Sequence, residues 1–495
     1  MSSSSDVGVA VTPTAGETTG RRDRWRRPTL SGLWAFSAVA LPVIAALRAT
    51  IVTNDLAYQI RAGDLMLRTH HLLRTDTFTF TALGRPWVDQ QWGAQVVFAL
   101  VYRAGGWAGL ALLRAALVGA TALFVLLACR AAGVGTRRAA WLALAGFAVW
   151  AGGAALRPQM FGMVLFSAIV WLAFERHRHP AWLWAVPVLT TLWENLHGSF
   201  FLSPLLLALM WWTDVRGRDP AARRTLLVAI ASALATVLSP FGIGVWTYAF
   251  RISTDPVITR AITEWQPPTI RDSSGALFFA SLAAVAVFLA LRGAKTAWPT
   301  LALLGLFALI GLEAVRGIFW WAIVLPPVVA GLLPEASARK EGRSVMNAAI
   351  AAGLVVLAVA SLPSWRAGSR ASPSSSVVAN APVTLTDALR LVLRPGERFY
   401  NPVPWASWFE LVLPGNPVFL DPRIEIFPRS VLDQHQDVSL GREGWQRVLD
   451  RWDIRVLVAD RSEEDQLIPI IARDPGWRTV YSDAAGLILV RMGTP

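Results

Sequence analysis

Apolar residues along this chain gather into long blocks, with most polar ones between them. The first block runs from Gly32 to Val52. Others follow at 108–130, 138–156, 158–175, 180–196, 198–213, 222–240, 275–292, 297–313, 318–333 and 346–363. Each is near the ~20 residues with which an α-helix crosses a hydrocarbon core, so the pattern predicts about eleven spans. The apolar piece Val96 to Tyr102, which ends at Arg103, is too short to cross alone. Residues 54–106 are therefore expected to form one external loop. A twelve-span alternative counts 88–104 as a crossing and would move the later basic clusters to the outer side.

Within that loop the period changes. Leu56, Ile60, Gly63 and Leu67 share one helical face, while Arg61, Asp64 and Arg68 share the other, as in a helix lying in the interface plane. Thr77 to Thr81 alternates with period two, and Gly84-Arg85-Pro86 signals a turn. Beyond the last run, 364–383 has linker composition. From 384 to 495, strand-like runs at Pro417 to Leu420, Ile454 to Ala459, Arg478 to Tyr481 and Gly486 to Arg491 alternate with helical pieces such as Gly444 to Trp452. This pattern predicts a small soluble α/β domain. No internal repeat is visible.

With 54% hydrophobic and 16% charged residues, the composition fits a polytopic membrane protein better than a soluble one. The net charge of +13 resides largely at segment ends. It therefore reads as topology signal and as contact with anionic membrane lipids, and nucleic acid is not an expected partner. Arg130, Arg137 and Arg138; Arg176 and Arg178; Arg216, Arg218, Arg223 and Arg224; Arg292 and Lys295; and Arg339, Lys340 and Arg343 fall in every second connection. Those connections are expected in the cytoplasm, with the N-terminus inside and the C-terminal domain outside. Residues 1–30, Ser/Thr/Gly-rich and then Arg-rich, read as a disordered basic cytoplasmic tail. Cys129 is the only cysteine, which excludes a disulfide or a thiolate metal site within one chain.

The charge register places one set of polar residues on the external side. It holds Asp55, Asp76 and Asp89 of the first loop, Arg157 with Pro158 and Gln159, Glu194 with Asn195 and His197, Glu264 and Gln266, and Glu313 with Arg316. Ionisable groups near membrane depth usually face a protein interior or a watery cavity, so this convergence points to an external site. Asp55 is either the N-cap of the interfacial helix or a general base for an acceptor hydroxyl. Asp76 and Asp89 are turn caps or, with Asp55, hard oxygen ligands for a divalent cation, although no fixed ligand spacing marks one. Arg157 and Arg316 either snorkel to the interface or grip a phosphate with their planar donor fork. Glu313, three residues before Arg316, is a possible ion-pair partner for it. Asp421 and Arg423 read as a turn with local pairing.

Asp55 after the first span, Arg74-Thr75-Asp76, Gly84 to Asp89, Arg157-Pro158-Gln159, Asn195 to Gly198, Glu264-Trp265-Gln266, Asn401-Pro402 and Phe419 to Arg423 together resemble bacterial polytopic proteins similar to GT-C glycosyltransferases. The resemblance spans most of the chain. It implies an α-helical polytopic GT-C-like domain over 31–363 with the α/β domain outside the bacterial cytoplasmic membrane. It further implies transfer of a sugar from a polyprenyl-phosphate donor to an envelope glycan, lipid or protein acceptor. Asp55 matches the position of the family's acceptor-activating acid. If the chain is such an enzyme, Asp76 or Asp89 is the second acid or a metal ligand and Arg157, His197, Asn195, Glu264, Gln266, Arg316 and Gln91 contact the substrates, while Trp87, Trp92 and Trp265 are either sugar-stacking surfaces or, like most of the tryptophans, interfacial belt anchors. Two stretches depart from the family. Ala57-Tyr58-Gln59 and Gln90-Gln91-Trp92 stand where relatives read Trp-Trp-His and His-Glu-Trp, and glutamine neither titrates nor binds metal strongly. Either Asp89 substitutes for the lost Glu, or the chain is a non-catalytic glycolipid-binding or envelope-assembly protein. A transporter, the third alternative, would carry mid-span acids and inverted repeats.

Overall fold

A computed structural model describes residues 27–292, 296–334 and 341–492. Most of the expected basic tail, and with it Lys295, Arg339 and Lys340 of the charge register, lie outside the described residues. The chain is mostly helical. The first helix, α1 (Leu30–Arg48), is capped by Thr29, whose side chain accepts from Gly32 N. A two-residue strand, β1 (Ile51–Val52), leads into α2 (Leu56–Thr69). A long loop then reaches α3 (Trp92–Ala131), α4 (Thr136–Trp150) and α5 (Gln159–Glu175). The middle of the chain forms α6 (Ala185–Glu194), α7 (Leu202–Arg216), α8 (Ala222–Ala235), α9 (Gly244–Thr254) and α10 (Pro256–Ala261). Next come α11 (Ser273–Arg292), α12 (Trp298–Glu313), α13 (Ile318–Leu332) and α14 (Val345–Ala360).

A helix occupies every apolar run that the sequence marks as a span. Four stretches among the described residues are both long and apolar enough to cross a membrane: α1, α3, α11 and Val315–Leu332. Others are short, and α6, with 10 residues, is only about 15 Å long. The apolar helices α11 and α14 each bury few side chains, so most of their surface faces outward, as a lipid environment requires. Helix α3 breaks at Gly106, whose φ of 56° and ψ of −145° suit glycine alone. Residues 92–105 are thus a separate helix from 107–131.

Helix α2 departs from the expected surface helix. Its buried side includes Leu56, Gln59, Ile60 and Met66, so protein and not lipid covers that face. Gly63 lies so close to the backbone carbonyl of Gln95 that any Cβ would clash, which lets α2 and α3 meet at backbone distance. Asp64 on the other face pairs with Arg61, Arg68 and Arg103, at 2.7 Å for Arg103.

The C-terminal part contains β2 (Val378–Ala379), α15 (Val383–Val392), β3 (Phe399–Tyr400), α16 (Val403–Val412), α17 (Arg429–Ser439), α18 (Trp445–Arg451), β4 (Val456–Asp460), α19 (Leu467–Ile471), β5 (Trp477–Ser482) and β6 (Gly486–Arg491). One sheet runs β3-β4-β6-β5, with β3 and β4 parallel and the other pairs antiparallel. The C-terminal part is stitched to the front of the chain in two ways. Strand β2 pairs with β1, and the first loop lies along 417–420, where Phe80 N donates to Val418 O and Val418 N to Phe78 O, each at 3.2 Å. Phe78, Phe80 and Trp87 of that loop share one core with Tyr400, Phe419 and Leu457. Pro417 to Leu420 therefore serves as a docking rail for the loop and not as a regular strand.

Candidate functional site

Asp55 occupies the N-cap position of α2, but its side chain makes no capping bond. Its Oδ2 instead lies 2.9 Å from Nη2 of Arg157. Arg157 stands in the turn before α5, and its Nη1 donates to Oε1 of Glu264. The other oxygen of Glu264 accepts from Nη2 of Arg316 at 3.1 Å, and that guanidinium lies 4.1 Å from the centre of the Trp265 ring. Two short 3₁₀ turns, Thr263–Trp265 and Val315–Gly317, present Glu264 and Arg316. They are tied together where Val315 N donates to Gln266 O at 3.0 Å. The result is a chain of alternating charge, Asp55–Arg157–Glu264–Arg316, in which each side chain is 29–32% exposed. This exposure matters, because half-solvated pairs exchange partners at low cost.

Arg316 does not pair with Glu313. Ala314, with φ −151° and ψ 144°, breaks the helix between them and removes the i,i+3 geometry on which that expectation rested. His197 is half-buried and its Nδ1 lies 2.7 Å from Ser199 Oγ. Burial, and then the nearby Arg316 charge, push its pKa down to about 3, so the imidazole is neutral.

Of the remaining expected residues, Asn195 and Gln91 are part-buried and Asp89 and Asp76 buried. Asn195 Oδ1 accepts from Trp92 Nε1 at 2.9 Å, and its backbone carbonyl accepts from Gly93 N, fastening the start of α3 to the end of α6. Gln91 Oε1 accepts from Gln59 Nε2 at 2.9 Å, so two of the three glutamines in the departing stretches face each other. Asp89 is buried, with Oδ1 accepting from Gln95 Nε2 at 2.7 Å and Oδ2 without a protein partner. Burial raises its pKa to about 8, although Arg423 pulls the other way. Asp76 is fully enclosed. It accepts from Thr79 N at 3.1 Å and Thr79 Oγ1 at 2.7 Å, as the turn-cap reading allowed, and from Arg423 Nη2 at 2.5 Å.

The structure also brings in groups that the sequence reading passed over. Tyr248 OH donates to Glu425 Oε1 at 3.0 Å. Asp55 and Glu425 both act electrostatically on Tyr58, so an acid of the C-terminal domain approaches the Asp55 neighbourhood. Burial raises the pKa of Glu425. Glu425 stands two residues after Arg423, just past the matched run. Tyr248 is one of five tyrosines in the chain, a scarcity that makes each polar ring worth placing.

Among the described residues no group of three or more His, Cys, Asp or Glu is arranged to hold a metal. The donor chemistry explains this: Asp55 and Glu264 both turn toward Arg157, Asp76 toward Arg423, and Asp89 toward Gln95. The residues present do not fit a divalent cation on the first-loop acids.

No family model and no curated protein matches the chain. Solved structures do. One is the archaeal oligosaccharyltransferase AglB from Archaeoglobus fulgidus in complex with an inhibitory peptide and a dolichol-phosphate, with a TM-score of 0.56 at 15% identity. The apo form of the Archaeoglobus fulgidus oligosaccharyltransferase gives 0.52, and the form tethered to an acceptor peptide containing the NVT sequon gives 0.51, each at 14% identity. All three alignments cover 93% of this chain and 74% of the other. The chain therefore has the GT-C-type fold of these oligosaccharyltransferases.

Proposed function

We propose that this protein is an integral membrane glycosyltransferase that moves a sugar from a polyprenyl-phosphate-linked donor to an envelope acceptor on the extracytoplasmic face of a bacterial plasma membrane. The observation that carries this reading is the geometry of Asp55. It sits at the exit of the first helix, leaves the cap position unused, and enters a partly exposed row of acids and arginines. The dolichol-phosphate and acceptor peptide named with the fold neighbours support the same substrate classes.

In this reading Asp55 accepts the proton from the acceptor nucleophile. The nucleophile bonds to the anomeric carbon as the bond from that carbon to the phosphate oxygen breaks, and the electron pair leaves with the phosphate. Arg316 and Arg157 bind that phosphate, for which the guanidinium fork provides paired donors. Neutral His197, Asn195, Gln266 and Gln91 supply hydrogen bonds to sugar or acceptor hydroxyls, and Trp265 is already stacked beneath Arg316. Asp89, buried beside Gln95, is the second acid, while Asp76 holds the loop. Asp55→Asn in membranes supplied with a lipid-linked sugar tests the reading; unchanged transfer would overturn it.

One observation favours a second reading. The Gln59–Gln91 bond places two non-titrating amides where relatives carry His and Glu, as in a glycolipid-binding protein that has lost its chemistry. Saturable binding of polyprenyl phosphate with no turnover would select it.

A further inference from the structure

The far end of α5 carries a second polar site. Helix α5 has 17 residues and so spans about 25 Å, which separates this end from Arg157 by nearly the thickness of a hydrocarbon core. Here a cavity of about 350 Å³ opens between the end of α3, the start of α4 and the turn after α5. Its charged lining is mixed. Arg130 and Arg178 bring positive charge, and Glu175 brings a carboxylate whose Oε2 is buried without a protein partner. Arg178 is 3.7 Å from the other oxygen of Glu175, too long for a tight bond.

Two further features belong to the same cavity. Helix α4 begins there at Thr136 with no side-chain cap and no acid in its first turn, so its free N–H groups and positive dipole end are uncompensated. Trp171 and Trp182 form an aromatic wall, with His179 stacked on Trp182 at 4.2 Å. Arg176 is not part of this set, because it is committed to Asp214 at 2.6 Å. A simple anion would satisfy the arginines and the helix start but would sit against Glu175. A simple cation would satisfy Glu175 and be repelled by the rest. A ligand with an ammonium a few bonds from a phosphate satisfies both.

We propose that this cavity is a lipid site for a phosphoethanolamine headgroup at the membrane face opposite Asp55. The phosphate lies on Arg130, Arg178 and the start of α4, the ammonium donates to Glu175, and the tryptophans flank the glycerol end at interface depth.

The test uses the full chain in detergent, with lipid retention read by native mass spectrometry. The probes are phosphatidylethanolamine, phosphatidylglycerol, phosphatidylcholine and inorganic phosphate. Wild type is expected to retain phosphatidylethanolamine about tenfold more than either other lipid, as one charge-assisted bond implies. Glu175→Gln should erase its lead over phosphatidylglycerol, and Arg130→Gln with Arg178→Gln should reduce retention of both. Equal retention of all three lipids by wild type overturns the proposal without any variant. So does inorganic phosphate displacing the lipid at micromolar concentration, which would mark a soluble phosphate site. Sugar transfer does not enter the readout, so the result stands apart from the fate of Asp55.

Discussion

Arg423 sits between Asp76 and Asp421, and Arg157 sits between Asp55 and Glu264, so the molecule contains the same bridge twice in different surroundings. The Arg423 bridge is sealed, with side chains 0–1% exposed, and Trp87, Phe78 and Tyr58 place their rings within 4.5–5.6 Å of the guanidinium. It joins the first loop to the C-terminal sheet region. The Arg157 bridge is about one-third exposed and continues into Arg316. Burial decides what each can do. Charges sealed from water hold their partners because nothing else can solvate them, whereas charges at a watery edge can trade one carboxylate for a ligand phosphate. The first arrangement is a staple, and the second is the one that the proposed function uses to bind.

The largest effect expected from this contrast is on stability. Arg423→Gln leaves Asp76 and Asp421 buried without their counter-charge, at a cost of about 3–5 kcal/mol. Arg157→Gln, at the exposed bridge, should cost about 0–1 kcal/mol. Thermal unfolding of the two variants in one detergent measures the difference, and equal losses would remove the distinction. The activity order is reversed. Asp55→Asn should slow sugar transfer by about 10²–10⁴-fold, the usual share of a general base, with the melting temperature unchanged.

How much of this contrast was readable in the sequence depends on distance along the chain. The helices of the apolar runs were legible because each is written in consecutive apolar residues, and Asp55 stood out as a candidate because it comes shortly after the first of those runs. Asp421 and Arg423 were recognisable as a local pair. That Asp76 joins them was not, since a contact over 347 positions leaves no periodic trace. The same applies to α2. Its two faces are plain in the sequence, but an apolar face reads identically whether lipid or α3 covers it. Gly63 was the available clue, because a glycine mid-helix often marks close backbone approach. Glu264 as the partner of both arginines was equally hidden, as its neighbours come from distant turns.

The buried acid that takes no part in either bridge sharpens the comparison through pH. Asp89 titrates near 8 in the folded chain and near 3.8 when unfolded. Between those values the folded state holds the extra proton, so raising the pH draws the equilibrium toward unfolding, by at most about 1.4 kcal/mol per unit. Asp89→Asn should flatten the fall in melting temperature from pH 5 to pH 8 relative to wild type. A parallel pair of curves would mean that Asp89 is solvated. Arg316→Gln is expected to act more narrowly, raising the KM for a lipid-phosphate donor about tenfold while the melting temperature holds, as loss of one charge-assisted phosphate contact predicts. An unchanged KM would take Arg316 out of the donor site.

The smallest expected effect separates the exposed bridge from its nearest sequence alternative. Glu313 is three residues from Arg316 and Glu264 is fifty-two, yet only Glu264 reaches it. A double-mutant cycle on Glu264→Gln and Arg316→Gln should return a coupling of up to about 1 kcal/mol, the range for a partly solvated pair. The same cycle with Glu313→Gln should return less than about 0.3 kcal/mol, since the extended backbone at Ala314 carries Glu313 to the exposed surface. A larger Glu313 coupling would mean that the helix runs unbroken through Ala314. Arg316 would then turn away from Trp265, and the row beginning at Asp55 would end at Glu264.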